Sequence, residues 1–341
     1  MTVLSRRALN RATLARQHLL RPLVAPAIDM IEHLGGMQSQ APLAPYIGLW
    51  TRLDGFAADE LATLTENRQV VRLSMMRNTV HLVSARDCLD WRALFSPLHA
   101  NEFGVRVVRR ARELLDAAPR TMAELGALLA DQWPGVEPTT LANTARHHIA
   151  LCQTPPRGVW GAGGRAMWTP VERWLGTTLQ SVPVDELVSR YLGAFGPATV
   201  ADVQTWSGLT RLREVVERLP LLRFQNEAGQ TLYDLPDAPR PPADTPALPR
   251  FLPAYDNLLL SYRNRDRVIV GDRPVPLPPG NGATVGTFLV DGMWQGTWRV
   301  VDTTLRVEPF TRLRKADRDA LLTEAQRLGT FLDPNLVVEM T

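Results

Sequence analysis

The strongest constraint in this chain lies in residues 184–234. Residues 184–195 carry apolar positions at helical spacing and stop at Gly196-Pro197. Residues 199–206 read as a short helix, Ser207-Gly208-Leu209 as a tight turn, and residues 210–218 as a second helix. Residues 221–225 and 231–234 read as two strands joined through Glu227-Ala228-Gly229. A helix, a helix–turn–helix and a two-stranded wing, in that order, make a winged-helix domain.

The same element order occurs twice upstream. Residues 1–35 read as two helices: Val24, Ile28 and Ile31 recur at helical spacing, and Gly35-Gly36 ends the pattern as a C-cap does. A loop over 37–42 precedes helices over 45–53 and 59–67. The run 70–83 follows, with Leu73 and Met75 alternating with Arg72 and Ser74. Arg77-Asn78 is its best turn, which makes it a hairpin. Residues 86–95, 101–115, 121–132 and 138–150 are helical in pattern, with Thr121 and Glu124 at capping-box spacing. Leu151-Cys152-Gln153 then leads into a Gly-rich hairpin over 154–168 that carries Arg157 and Arg165.

Residues 236–249 contain six prolines, the composition of a linker. Strands are expected beyond it at 268–270, 284–290 and 297–301. A Pro/Gly-rich connection over 274–282 separates the first two, and a helix is expected over 316–329. The expected fold is α+β: three tandem winged helix-turn-helix domains with a C-terminal β-rich, barrel-like domain. The expected divisions are 1–85, 86–176, 177–235, the linker 236–249, and 250–341.

Composition narrows the chemistry. Lys315 is the sole lysine among 38 basic residues, which face 35 acids for a net charge of +3. Arginine keeps its proton, so it clamps phosphate or carboxylate but does not serve as an amine nucleophile. Cys88 and Cys152 have no metal-like spacing, and no His-Glu-x-x-His, P-loop or Gly-x-Ser-x-Gly motif occurs. His147 and His148 are adjacent on a helix and make a poor chelate. No metal and no cofactor are expected. There is no signal-peptide pattern and no apolar run of about 18 residues, so no membrane partner and a cytoplasmic location are expected.

Basic residues cluster at three places: Arg6, Arg7, Arg11, Arg16 and Arg21; Arg106, Arg109, Arg110 and Arg112; and Arg263, Arg265, Arg267 and Arg273. With tandem wings, this distribution favours duplex DNA. The candidate contacts are Arg211 and Arg213 in the third wing domain, Arg146 in the second, and Arg157 and Arg165 on its hairpin. Winged helices also mediate protein contacts. A non-catalytic DNA-binding regulator and a protein-interaction scaffold therefore remain open on architecture alone.

Four segments carry a resemblance. They are Gly35-Gly36-Met37-Gln38-Ser39-Gln40-Ala41-Pro42, Met76-Arg77-Asn78-Thr79-Val80-His81-Leu82, Pro155-Pro156-Arg157-Gly158-Val159-Trp160-Gly161, and Leu252-Pro253-Ala254-Tyr255-Asp256-Asn257-Leu258-Leu259-Leu260. Over nearly its whole length the chain resembles the AlkZ/YcaQ-like DNA glycosylases, bacterial proteins of three winged helices and a β-rich C-terminal part. The resemblance implies excision of bulky N-alkylated bases and unhooking of interstrand crosslinks left by genotoxic natural products. It implies duplex DNA as partner, a role at the bacterial nucleoid, and a Gln-hydrophobe-Gln motif. That motif falls on Gln38-Ser39-Gln40, with Ser39 departing in polarity.

Two glutamines suit this chemistry. Glutamine does not titrate, so neither is a general base. An N7-alkylguanine already carries positive charge and needs no acid to leave. Amide carbonyls can orient a water below C1′ and aim their dipoles at an oxocarbenium-like state. Residues i and i+2 share a face on an extended segment, so Gln38 and Gln40 can address one water. His81, Arg77 and Ser39 are candidate supports of this site. Asp256 is expected to organise its motif through hydrogen bonds. The lone lysine favours a monofunctional enzyme without a Schiff-base lyase step, and a monomer is expected.

Overall fold

Local capping signals set the helix starts in this chain, and long-range ion pairs join its distant segments. The computed structural model describes residues 1–96, 101–180, 182–271, 273–276 and 285–341. Strand β1 (Val3–Leu4) leads into helix α1 (Arg6–Arg16), which Ser5 caps by accepting from the Ala8 amide. Helix α2 (Ala27–His33), the extended pair β2 (Met37–Gln38) and helices α3 (Ala44–Trp50) and α4 (Ala58–Glu66) follow. The hairpin β3 (Val70–Ser74) and β4 (Val80–Ser84) turns at Arg77 and Asn78, both left-handed at φ 54° and 56°.

Helices α5 (Ala85–Trp91), α6 (Glu102–Ala117), α7 (Met122–Ala130) and α8 (Pro138–His148) precede β5 (Leu151–Gln153), β6 (Trp168–Pro170) and α9 (Val171–Leu175). Thr121 and Glu124 close a capping box on α7, as their spacing predicts. Helices α10 (Val184–Phe195), α11 (Val200–Ser207) and α12 (Arg213–Arg218) lead to the hairpin β7 (Leu222–Asn226) and β8 (Thr231–Asp234). The C-terminal elements are β9 (Arg250–Leu252), α13 (Asn257–Leu260), β10 (Gly286–Val290), β11 (Met293–Val301), β12 (Thr304–Pro309), α14 (Lys315–Leu332) and β13 (Val337–Met340).

The fold is mixed α+β with three sheets. The chain divides into two compact units: Met1–Phe56 with Asp185–Thr341, and Ala57–Val184. The division at Phe56 falls inside the 1–85 segment expected from sequence. In the unit Ala57–Val184, strands run in the order β4-β3-β5-β6. Val107, Ala111, Leu115, Leu125, Leu129 and Leu141 from α6, α7 and α8 form its apolar core. Strand β3 differs from the expected alternation, because all five of its residues are buried. Its polar face is enclosed by partners: Arg72 donates to Gln153 Oε1 at 2.7 Å, and Ser74 accepts from Arg146 at 3.0 Å.

In the other unit, β1 pairs parallel with β7 across 222 residues of sequence, Val3 opposite Gln225. The segment 236–249 is held along α1: Arg7 donates to Ala243 O, Arg11 to Thr245 O and Arg16 to Pro239 O. Proline supplies no N–H donor, so a Pro-rich segment is short of local partners for its carbonyls, and these arginines take up three of them. Arg11 and Arg16 of the first basic cluster and Arg267 of the third are therefore buried, not presented to a polyanion. Arg267 donates to Pro197 O at 3.0 Å and stacks on Tyr262.

The C-terminal sheet corrects the barrel-like expectation. Its order is β13-β12-β11-β10-β9, and among the described residues β9 and β13 are unpaired edges of an open sheet. The reason is the crossover: α14 connects β12 to the parallel β13 and buries Leu321, Ala325 and Leu328 against Phe251, Phe288 and Val307. A helix covering the face removes the drive to close the sheet on itself. The expected strand at 268–270 is instead a turn, in which the Val268 and Ile269 amides both bond to Arg265 O. Val268 and Ile269 are buried with Leu14, Leu252 and Trp294 while Val270 is exposed, a setting that periodicity cannot separate from a strand. The second helix of 210–218 begins only at Arg213, because Arg211 adopts φ 60° and Leu212 caps back onto Gln204. Pro278, Pro279, Gly280-Asn281-Gly282 and Thr284 lie outside the described residues.

Candidate active site

The glutamine loop is shaped by the glycine pair. Gly36 N bonds to Ile31 O at 2.9 Å and Gly35 N to Glu32 O at 3.0 Å, closing α2 with a left-handed exit at φ 64° and 92°. A Cβ at Gly35 would lie 3.0 Å from the Trp206 indole, so glycine also permits close packing on α11. The chain then runs extended through Met37 and Gln38 before α3 begins at Ala44. Gln38 is 9% exposed, Ser39 is 0% exposed and Gln40 is half-buried. The motif therefore turns its middle residue inward, where a hydroxyl stands in place of an apolar side chain.

A cavity of about 20 Å3 lies at Gln38, lined also by Gln17, Gly36, Met37, Arg52, Asp256 and Asn257. Arg52 and Asp256 form a buried two-point ion pair, Nη1 to Oδ2 at 3.0 Å and Nη2 to Oδ1 at 2.9 Å. Arg52 Nη2 also donates to Gln17 Oε1, and Gln17 Nε2 to Ala194 O. Asp256 caps α13 by accepting from the Leu258 amide, and Asn257 Nδ2 makes a long 3.5 Å contact to Gly36 O. Asp256 thus organises its motif through hydrogen bonds, as expected. Sequence reading missed Gln17, Arg52 and Asn257. The available signal was an arginine inside the apolar run of residues 44–53.

Two histidines lie in the same unit. His18 and His33 meet edge to face at 5.3 Å, and His33 Nε2 bonds to Arg16 O. Burial, then His33 and Arg52, push His18 down to about 4, and burial also lowers His33. Both are neutral near pH 7.

In the unit Ala57–Val184, His81 sits on β4 opposite Leu73 and is fully buried. Burial, then the Arg77 charge, push it down to about 3, and its Nδ1–H donates to Thr79 O at 2.9 Å. It is a neutral imidazole with an acceptor at Nε2, not a proton donor. Arg77 stands half-buried at the hairpin turn. Gly158 of the third motif takes φ 88° and packs its α-carbon against Arg72, where a Cβ would meet Cδ at 2.9 Å.

The candidate DNA contacts differ in availability. Arg146 is held by Ser74 and stacks on Trp168 at 5.1 Å, so its guanidinium is engaged inside the fold. Arg157 donates to Gly164 O, and Arg165 pairs with Glu124 at the surface. Arg211 is exposed at its left-handed turn. Arg213 is 73% exposed and pairs with Glu217 one helical turn away.

Residues 31–331 match the family model described as DNA glycosylase AlkZ-like. The chain belongs to the AlkZ-like DNA glycosylase family. Its fold is similar to the solved structure of the Streptomyces sahachiroi DNA glycosylase AlkZ, with a TM-score of 0.71 and 18% identity over 100% of both chains. No curated protein sequence matches it. Family membership makes DNA the substrate and a glycosylase the activity. No helix among the described residues is long and apolar enough to cross a membrane.

Proposed function

We propose that this AlkZ-like glycosylase hydrolyses the N-glycosidic bond of bulky or crosslinking N7-alkylpurines in duplex DNA, with Gln38 and Gln40 as its catalytic pair. The observation that carries the reading is the loop itself. Two left-handed glycines and the start of α3 hold Gln38-Ser39-Gln40 in place, with Gln38 beside a small cavity that the Arg52–Asp256 ion pair also lines. In the reaction a water oxygen bonds to C1′ as the C1′–N9 bond breaks. The bonding pair enters the purine ring and cancels its positive charge, and the water's proton passes to solvent. The amide oxygens accept from the water and face the developing positive charge on the sugar. Neither glutamine needs to change protonation state.

Arginines on the three helix–hairpin groups, read as winged helices, hold the duplex, with Arg211 and Arg213 the most accessible of those named. The enzyme acts as a monomer at bacterial nucleoid DNA and gives resistance to alkylating genotoxins. It leaves an intact abasic strand: Lys315 lies at the start of α14 and is not among the residues that line the Gln38 cavity.

The test is release of N7-alkylguanine from duplex DNA. The double variant Gln38→Ala/Gln40→Ala is expected to lose about 100-fold or more in excision rate while still binding DNA. Strand cleavage is expected only after heating with alkali. DNA retention without base release from the unaltered protein would instead mark a non-catalytic regulator.

A further inference from the structure

Gly48 sits inside helix α3, where its backbone is ordinary right-handed helix. Glycine is the weakest helix former after proline, so the backbone gives no reason for it there. The reason is steric. A Cβ built at Gly48 would overlap Met37 Cε, while Arg52 Nη1 and Pro253 Cγ would lie at 3.6 Å, an ordinary contact distance. The end of Met37 therefore rests directly on the bare α3 backbone. Met37 is the residue before Gln38, shares strand β2 with it, and is 6% exposed. Its end has no open solvent to swing into. The adjacent free space is the cavity of about 20 Å3 that Met37 lines together with Gln38, Leu34, Ala44 and Pro253. A side chain at position 48 would thus press Met37 toward the glutamine loop.

We propose that Gly48 is a positioning residue for Gln38: it forms a notch in α3 that seats Met37 and so fixes where the glutamine loop leaves β2. The loop is then keyed at two steps, Gly35 against Trp206 and Met37 against Gly48. Close-packed interiors leave little slack, so such keys hold the chain tightly. A displacement of about 1 Å at a reacting group can cost about 100-fold in rate, which makes the seat of Met37 a matter for catalysis as well as for folding. This inference rests on the role given to Gln38 above.

The test is a methyl exchange in the full chain. Gly48→Ala adds a methyl to the notch, and Met37→Leu shortens the side chain that meets it. For Gly48→Ala alone, single-turnover excision at saturating duplex carrying N7-alkylguanine, per folded molecule, is expected to fall about 10-fold to 100-fold. Its affinity for the duplex should stay unchanged. Combined with Met37→Leu, the rate is expected to recover to within about threefold of the unaltered protein, since the pair restores the packed volume. A wild-type rate in Gly48→Ala overturns the proposal. So does a double variant no faster than Gly48→Ala, because the loss then does not pass through Met37. Where Gly48→Ala fails to fold, Met37→Ala takes its place. That change empties the notch without crowding it, and its rate is expected to fall about 10-fold; a wild-type rate overturns the seating role. Gln38→Ala separates the two readings. Wild-type excision in that variant sinks the role of Gln38 and the positioning role with it. An inactive Gln38→Ala beside a fully active Gly48→Ala sinks the positioning role alone.

Discussion

Arg16 and Asp234 meet as a two-point ion pair with both side chains fully buried, Nη1 to Oδ1 at 2.6 Å and Nη2 to Oδ2 at 2.9 Å. The pair ties the first helix to the last residue of the β7–β8 hairpin, and Arg240 joins it at Asp234 Oδ2. Gly196 leaves room for it, since a Cβ there would lie 2.6 Å from Arg16 Nη1. Removing one partner strands a buried charge. Asp234→Ala is expected to cost about 3–5 kcal/mol in urea unfolding. The double variant Arg16→Met/Asp234→Leu should recover most of that loss. Equal losses in both variants would show that the interaction, not the stranded charge, supplies the energy.

Gly158 combines a left-handed φ of 88° with contact on the Arg72 side chain. Gly158→Ala is expected to destabilise the protein by about 1–3 kcal/mol, from backbone strain and displacement of Arg72. A melting temperature equal to that of the unaltered protein would refute the packing role of this motif.

The pH response has two parts. Gln38 and Gln40 do not titrate, and burial together with the Arg77 charge holds His81 near 3. The excision rate should therefore be flat from about pH 6 to about pH 8 as far as these groups decide it. A bell-shaped profile centred in that window would place a titrating residue in the site. Stability behaves differently. His81 has a folded pKa below its unfolded value, so above about 6.5 both states are neutral and its burial carries no proton penalty. As pH falls from about 6.5 toward 3, the unfolded state takes the proton first. Stability then drops by up to about 1.4 kcal/mol per pH unit from this residue. His81→Phe should flatten that part of the urea-midpoint curve.

Arginines of different burial should respond differently to removal. Arg211→Ala/Arg213→Ala is expected to weaken duplex binding and to lower the salt slope by about 0.9 for each residue that touches a phosphate. The exposed Arg213–Glu217 pair gives way at little cost. Arg146→Ala should chiefly lower the melting temperature, because its guanidinium holds Ser74 and covers Trp168. Filter binding across salt concentrations and thermal melts separate the two effects.

Much of this protein was legible from neighbours in sequence. The Gly35-Gly36 stop, the Thr121–Glu124 capping box and the Arg77-Asn78 turn depend on contacts within a few residues, so residue type suffices to place them. The glutamine motif was visible for the same reason, as a short loop between two helix signals. What escaped was every decision about which arginine faces inward. Arg16 finds Asp234, and Arg52 finds Asp256, across more than 200 residues. No local pattern separates Arg16 from the exposed Arg6 and Arg7 of the same helix. The Pro-rich segment 236–249 likewise reads as a linker until α1 supplies donors for its carbonyls. The sheet at the C-terminus stays open because α14 covers its face, a packing outcome that strand periodicity does not encode. Backbone turns and caps are short-range bargains between adjacent groups. The burial of a charge is settled only when the chain brings its counter-charge to it.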